Sequence, residues 1–88
     1  MAFKGMNTAQ ARALERKLDN DAQNLIRIAG DLRAKVDGMP WLGPDARRFK
    51  GETWGQVDTL LRDVSATLSN AQATIASQRQ QQETASQI

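Results

Sequence analysis

The chain has 88 residues, with 12 basic and 10 acidic side chains and a formal net charge of +2. It contains neither Cys nor His, which excludes internal disulfides, thiolate metal sites and the commonest general base and metal ligand. A chain this short buries only about 60% of the surface that its unfolded form exposes. We therefore expect one small non-enzymatic domain, with no cofactor, metal or catalytic site, that is stabilised by association.

The sequence contains no stretch approaching the roughly 20 apolar residues needed to cross a bilayer. Residues 1–7 also lack the apolar core of a secretory signal. We expect synthesis in the cytoplasm without a cleaved signal peptide, and no stable membrane insertion. Basic and acidic residues are interleaved along the chain rather than gathered together, and this pattern argues against nucleic acid as a partner.

In the first half of the chain, apolar residues recur at intervals of three and four, which is the spacing of a helix face. We predict a helix over residues 8–37, preceded by a flexible N-terminus over residues 1–7. Asn7 followed by Gln10 resembles a capping box at the helix start. The apolar stripe of this helix comprises Ala11, Leu14, Leu18, Ala22, Leu25, Ile28 or Ala29, Leu32 and Val36.

Glycine and proline concentrate in one run, residues 38–44, and no Pro occurs elsewhere. A single break of this kind predicts two long elements joined by a turn at 38–43. Pro44 suits the first position of a second helix, which we predict over residues 44–82. The polar end, residues 83–88, is predicted to be a disordered tail, with a docking or export segment that orders on binding as the alternative.

The predicted fold is all-α: an antiparallel helix-turn-helix hairpin over residues 8–82. On each helix the apolar arc spans roughly 140° to 160°, which is wider than the contact line of a two-stranded coil. Each helix therefore needs more than one neighbour, and dimerisation into a four-helix bundle supplies it. The residues predicted to pack within the hairpin and the dimer are Leu14, Leu18, Leu25, Ile28, Leu32, Phe49, Trp54, Val57, Leu60, Leu61, Val64 and Leu68.

A short motif marks the predicted turn, where a glycine can adopt positive φ and permit a tight reversal. The motif residues are Trp41, Leu42 and Gly43, followed by Pro44, Asp45, Ala46 and Phe49, and by the later Trp54. With two amphipathic helices and no Cys in a chain of this length, the sequence resembles the WXG family of small type VII (Esx, early-secreted-antigen-like) secretion substrates. The resemblance covers essentially the whole chain.

This resemblance implies a non-enzymatic helical protein that a type VII secretion system of a Gram-positive bacterium exports to the outside of the cell. The implied partners are a second copy or a related WXG subunit, and the membrane ATPase of the secretion system. The family usually carries a Tyr-x-x-x-Asp/Glu export element, whereas this chain has no Tyr. Either a partner supplies that element, or the Gln-rich tail holds a divergent one, or the chain is a helper.

Two other functions stay open at this point. One is a targeting adaptor or chaperone that pairs with the helical head of a larger type VII toxin. The other, of a different class, is a nucleoid-type DNA-binding protein that uses Arg47, Arg48 and Lys50 beside the turn. The plainer interpretation of those three residues is a solvated basic surface.

Three side chains have two possible roles each. Trp41 either plugs the turn end of the hairpin or contacts a partner. Trp54 comes five residues after Phe49, where WXG proteins commonly have an aromatic after four, and either borders the core or packs across a dimer. Asp21 lies inside the apolar arc, and either pairs with Lys17 one turn back or selects a partner or register.

Overall fold

The computed structural model describes residues 6–86, and all regular structure in that range is helical. Helix α1 spans Thr8–Gly38, and after the turn a short helix α2 spans Pro44–Arg48. A single turn of π-helix, Phe49–Thr53, then leads directly into helix α3, Trp54–Ser86. The prediction of an all-α helical hairpin is confirmed.

The start of α1 is capped by Asn7. Its Oδ1 accepts a 3.0 Å hydrogen bond from the backbone N–H of Gln10, one of the amides that a helix start leaves unpaired. The cap predicted from Asn7 and Gln10 is therefore present, and the flexible N-terminus predicted over residues 1–7 does not extend to Asn7. Residues 1–5 of that predicted segment lie outside the described residues.

At the C-terminal end, the helix runs further than the sequence suggested. We predicted an end at residue 82 and a disordered tail over 83–88, but α3 continues to Ser86. The physical reason is Glu83, whose carboxylate accepts hydrogen bonds from Arg79 and Arg12 and so ties the last turn to α1. Residues 87–88 lie outside the described residues.

The chain reverses at Gly43, which has a φ of 111° and a ψ of 176°. Among residues 6–86 it alone has a positive φ. A Cβ added at Gly43 would meet nothing within 4 Å, so glycine is required there by backbone conformation rather than by space. Pro44 follows at the first helical position, and the N–H of Arg47 donates to the Gly43 carbonyl at 3.0 Å to begin α2.

The π-helical turn accommodates one residue more than a regular helix. The N–H of Trp54 donates to the carbonyl oxygen of Phe49, five residues back, instead of to that of Lys50. Trp54 thereby takes the place on the helix that a residue four positions after Phe49 would normally occupy. The five-residue spacing between Phe49 and Trp54 is absorbed in this single turn.

Helices α1 and α3 pack against each other along a line of buried residues, which we call the hairpin seam. Its members are Ala11, Glu15, Ala22 and Ala29 on α1, and Trp54, Ser65 and Arg79 on α3. Near the middle of the hairpin, the Ser65 hydroxyl donates a buried 2.8 Å hydrogen bond to the Ala22 carbonyl oxygen. Alanine at most α1 positions leaves little side-chain volume in the seam, so the core between the two helices is thin.

The resulting molecule is a rod with Cα extents of 67 × 17 × 14 Å. Its radius of gyration is 19.4 Å, whereas a compact chain of this length has a value of about 12 Å. Within residues 6–86, no large side chain is completely buried. The hairpin is thus a single layer of two helices, and it cannot enclose its own apolar residues.

Across residues 6–86, neither long helix has an apolar segment sufficient to span a membrane.

Candidate pairing face

Both long helices expose large apolar side chains that the hairpin seam leaves uncovered. The set that lies beside the seam on one side comprises Leu14, Ile28 and Leu32 of α1 and Val57, Leu60 and Val64 of α3, and we call this set the pairing face. The most exposed member, Leu60, keeps 63% of its surface accessible. Contiguous exposed apolar surface is a common feature of sites that contact another macromolecule, so this set is the candidate functional site.

Helical geometry places the six residues on one side of the rod. At about 100° per residue, the α1 members lie roughly 60° to 100° from the buried alanines, all in the same rotational sense. The α3 members lie roughly 60° to 120° from Trp54, in that same sense. Because the helices run antiparallel, these two directions point to the same side of the hairpin. The pairing face is therefore one continuous surface across both helices.

The opposite side of the hairpin is polar. Asp19 and Gln23 lie there and are joined by a 3.0 Å hydrogen bond, and Arg33 pairs with Asp37 at 3.9 Å. One apolar residue, Ile26, is also exposed on that side. The hairpin therefore has two unlike sides, one with exposed apolar residues and one that is mainly polar.

The residues that we predicted to pack fall into two groups that differ in burial. Leu18, Leu25, Phe49, Leu61 and Leu68 are half-buried, at the margin where the seam meets the pairing face. The six members of the pairing face remain exposed. The predicted set therefore describes both surfaces, but the sequence alone does not separate those within the hairpin from those left for a partner.

Trp54 lies in the seam with only 5% of its surface exposed. This position agrees with the place of Trp54 among the residues predicted to pack within the hairpin. The indole is nevertheless in the interior instead of at the border of the core, and too little of it is exposed to pack across a dimer. The π-helical turn explains the difference, since it rotates Trp54 inward relative to a continuous α-helix. Among residues 6–86, two buried side-chain polar atoms have no hydrogen-bond partner: Trp54 Nε1 and Asp58 Oδ1.

At the turn end, Trp41 packs on Phe49 with ring centroids 5.7 Å apart and planes tilted by 48°. The Trp41 side chain is still 37% exposed, so it covers the turn end only in part. Leu42 beside it is 91% exposed. Lys50 Nζ donates to the Met39 carbonyl at 3.2 Å and links the two sides of the turn, which assigns a structural contact to one of the three basic residues there.

Asp21 lies on α1 within the pairing face. Its Oδ1 is 2.8 Å from Lys17 Nζ, one turn back, as the plainer prediction for this residue states. On α3 there are three charged residues between Val57 and Gln78, and none of them lies on the side of the pairing face. Asp58 and Arg62 are joined at 3.0 Å on the other side of the seam, and Asp63 lies about 180° from Trp54, on the surface that faces away from α1. Asp21 is therefore the charge nearest the centre of the pairing face.

An ionic cluster closes the open end of the hairpin. Arg79 donates to Glu15 through Nε at 2.5 Å and Nη2 at 3.2 Å, and through Nη1 to Glu83 at 3.1 and 3.2 Å. Arg12 adds a 2.8 Å hydrogen bond to Glu83. Glu15 and Arg79 are both buried. The cluster thus joins residues near both ends of the chain, and it occupies seam positions that would otherwise be apolar.

The cluster also shifts the ionisation of its members. Hydrogen bonds to Glu15 raise the pKa of Arg79 above its ordinary value, against the opposing effect of burial. Burial opposes ionisation of Glu83, but hydrogen bonds from Arg79 and Arg12 outweigh it and lower the pKa of that carboxyl below its ordinary value. Both groups are therefore held in their charged forms.

Sequence reasoning missed this cluster because the Gln-rich end was treated as too polar to pack. The sequence did contain a signal for it. Trp54, Ser65 and Arg79 share one face of α3, and Glu15 shares a face of α1 with Ala11, four residues before it. Opposite charges at matching ends of two antiparallel faces indicate a pair across the seam.

Comparison of the chain with protein-family models, with curated proteins and with solved structures finds no match. The function proposed below rests on the pairing face and on the turn.

Proposed function

We propose that this chain is a non-enzymatic helical pairing subunit whose pairing face is covered by the helical hairpin of a second subunit in a four-helix bundle. The observation that carries this proposal is the exposure of Leu14, Ile28, Leu32, Val57, Leu60 and Val64 on one side of the rod. A hairpin with a core of alanines and one tryptophan gains little from burial within itself. Burial of the pairing face against a partner offsets that shortage.

The dimensions of the rod suit such a partner. Cα extents of 67 × 17 Å give one whole side of the rod a projected area of roughly 1,100 Å², whereas a standard protein interface buries about 800 Å² on each partner. The pairing face occupies part of that side, so a partner of this kind would also cover polar residues beside the pairing face. The pairing face also lacks charge along α3, and the core of a protein interface is depleted in charged residues in the same way. A second hairpin laid along this face completes a bundle in which every helix has two neighbours.

The pairing subunit is, in this proposal, a WXG-type substrate of a type VII secretion system. It leaves the cell as a folded dimer with itself or with a related WXG subunit, after engagement by the membrane ATPase of that system. What supports this assignment is the turn: Gly43 supplies the positive φ, and Trp41 packs on Phe49 beside it. The motif residues thus have physical roles at the reversal of a hairpin.

The export element in this proposal comes from the partner, because the chain has no Tyr for the usual Tyr-x-x-x-Asp/Glu element. In the described structure, residues up to Ser86 are helical and the ionic cluster holds this end of α3 against α1. A docked C-terminal helix is less suited to act as an accessible peptide signal than a free tail.

Pairing is tested by measuring molecular mass in solution, by light scattering, for the chain alone and co-expressed with a WXG-type subunit encoded beside it. We expect a dimeric mass in at least one of the two preparations. Ile28→Gln is expected to weaken that dimer by at least tenfold, because it places an amide in the apolar interface. Ile26→Gln is the matched control, since Ile26 is equally exposed on the opposite side.

Equal effects of the two substitutions, or a well-folded monomer in both preparations, would contradict pairing through this face. Co-expression with the helical head of a toxin distinguishes the adaptor function, which requires a stable complex with that fragment and none with a WXG subunit. Secretion is tested separately: deletion of the membrane ATPase of the type VII system is expected to remove the chain from the culture medium. An unchanged extracellular amount would contradict export by that route.

A further inference from the structure

We propose that Asp21 selects the partner of the pairing face: it favours a different helical chain that presents a Lys or Arg opposite Asp21, and it disfavours a second copy of this chain. This inference rests on the proposed pairing function and specifies the chemistry of the partner. It follows from the position of one carboxylate on an otherwise apolar surface.

A regular ladder of residues runs along α1 beside the seam, with alternating intervals of four and three. Its members are Leu14, Leu18, Asp21, Leu25, Ile28 and Leu32. These intervals are those of the contact positions in helical bundles, where each member inserts between residues of a facing helix. Five of the six are apolar, so a partner that covers the ladder also covers Asp21.

Asp21 is hydrated in the isolated hairpin. Its side chain is 40% exposed, and its partner Lys17 is 72% exposed at the edge of the face. A helix laid over the ladder removes water from the carboxylate and leaves one flexible ammonium group as its compensation. A carboxylate taken out of water requires close cationic or hydrogen-bonding partners, and it destabilises the complex where they are missing.

A second copy of this chain does not supply that partner. If α1 packs over α3 of the other copy, Asp21 meets the uncharged face that runs from Val57 to Gln78. If α1 packs antiparallel over α1, with the ladders overlaid about their shared midpoint, the two Asp21 carboxylates come within one helical turn of each other. The first arrangement leaves the charge uncompensated, and the second adds repulsion.

A partner with a basic residue at the facing position resolves both difficulties. The cation compensates Asp21 in the interface, and the basic residue of such a partner would itself be unpaired against a second copy of that partner. A single polar position within an apolar contact line is known to set partner and register in helical assemblies. Charge complementarity therefore identifies a heteropair.

The test compares the self-association of the wild-type chain with that of Asp21→Leu and Asp19→Leu by analytical ultracentrifugation. Asp19 is the matched control, because it lies on the polar side of the same helix and its replacement changes the net charge equally. We expect a monomeric wild type, self-association of Asp21→Leu at least tenfold tighter, and no change for Asp19→Leu. Circular dichroism verifies that each variant is folded.

A second experiment mixes the wild type with variants of this chain that carry a Lys to face the wild-type Asp21. The variant Asp21→Lys places this Lys opposite Asp21 if α1 packs on α1. Asp21→Asn/Val64→Lys places it on α3, level with Asp21 because Ser65 bonds Ala22 across the seam. We expect one of these copies to pair with the wild type at least tenfold more tightly than the wild type pairs with itself.

The outcomes separate this inference from the pairing function. A wild-type homodimer tighter than about 1 μM overturns partner selection by Asp21 but leaves pairing intact. The inference is overturned if the Asp21→Leu variant remains as monomeric as the Asp19→Leu variant. It is also overturned if the wild type pairs with neither of the two Lys variants. If, in addition, Ile28→Gln and Ile26→Gln are equivalent in every preparation, the pairing function fails as well.

Discussion

The backbone N–H of Trp54 donates to the carbonyl oxygen of Phe49, five residues back, and this bond places the indole in the hairpin seam. An α-helical bond from the same amide would end at Lys50 and rotate Trp54 away from α1. The largest buried side chain of the hairpin is therefore positioned by a single turn of π-helix.

Deletion of Gly51 tests this relationship. We expect the deletion to convert the π-helical turn into a regular one and to keep Trp54 in the seam, four residues after Phe49. The free energy of unfolding, measured by urea denaturation, is expected to rise by about 1 kcal/mol, the gain on removing a glycine from a helix interior. Deletion of Thr59 is the control. Thr59 lies in the α-helical part of α3, where no π-helical turn can accommodate the loss of a residue, so its deletion rotates the rest of α3 by about 100°. Equal loss of stability in the two deletions would show that the π-turn does not set the position of Trp54.

Gly43→Ala is expected to destabilise the hairpin by about 1 to 3 kcal/mol, because φ 111° with ψ 176° is a region that only glycine occupies readily. Asn, which tolerates left-handed helical φ and ψ, is not expected to rescue this position. Gly30→Ala is the control: it lies within α1 with open space around it, and it is expected to stabilise the chain by about 0.5 to 1 kcal/mol. Thermal denaturation of the three variants measures the differences; a neutral Gly43→Ala would show that the turn adopts another conformation.

Arg79→Met is expected to lower the melting temperature, because it leaves the buried carboxylate of Glu15 without its cation. Replacing both partners, in Arg79→Met/Glu15→Leu, is expected to recover most of the loss, since no uncompensated charge remains. Arg33→Ala, which removes an exposed pair, is expected to change stability by less than about 1 kcal/mol. The prediction fails if the double variant is less stable than Arg79→Met alone.

Acid is expected to loosen the open end of the hairpin. The pKa of Glu83 is lower in the folded chain than its ordinary value of 4.5, so the folded state binds fewer protons than the unfolded state. The stability that Glu83 contributes is complete above that ordinary value and is lost as the pH falls through the lowered pKa. Urea denaturation between pH 7 and pH 3 measures the slope. Glu83→Gln should give a flatter profile in the acid range, and an unchanged profile would contradict the assignment.

The helices and their reversal could be predicted because they depend on local signals. Apolar periodicity, the Asn7 cap and the Gly43-Pro44 pair each act over a few residues. The position of Trp54 could not be predicted, because the phase of α3 depends on which hydrogen bond its amide makes. The ionic cluster was missed for a related reason: Arg79 and Glu15 are 64 residues apart in sequence, and only the folded register brings them together.

The register between the two arms of the hairpin also indicates the order in which their contacts form during folding. The contacts between its two arms span increasing separations along the chain: 11 residues for Lys50 and Met39, 43 for Ser65 and Ala22, and 64 for Arg79 and Glu15. Closing a short loop costs less entropy than closing a long one, so the arms should zip from the Gly43 end outward. The Glu15–Arg79 pair then forms after the rate-limiting barrier, and weakening it should speed unfolding while leaving the refolding rate almost unchanged.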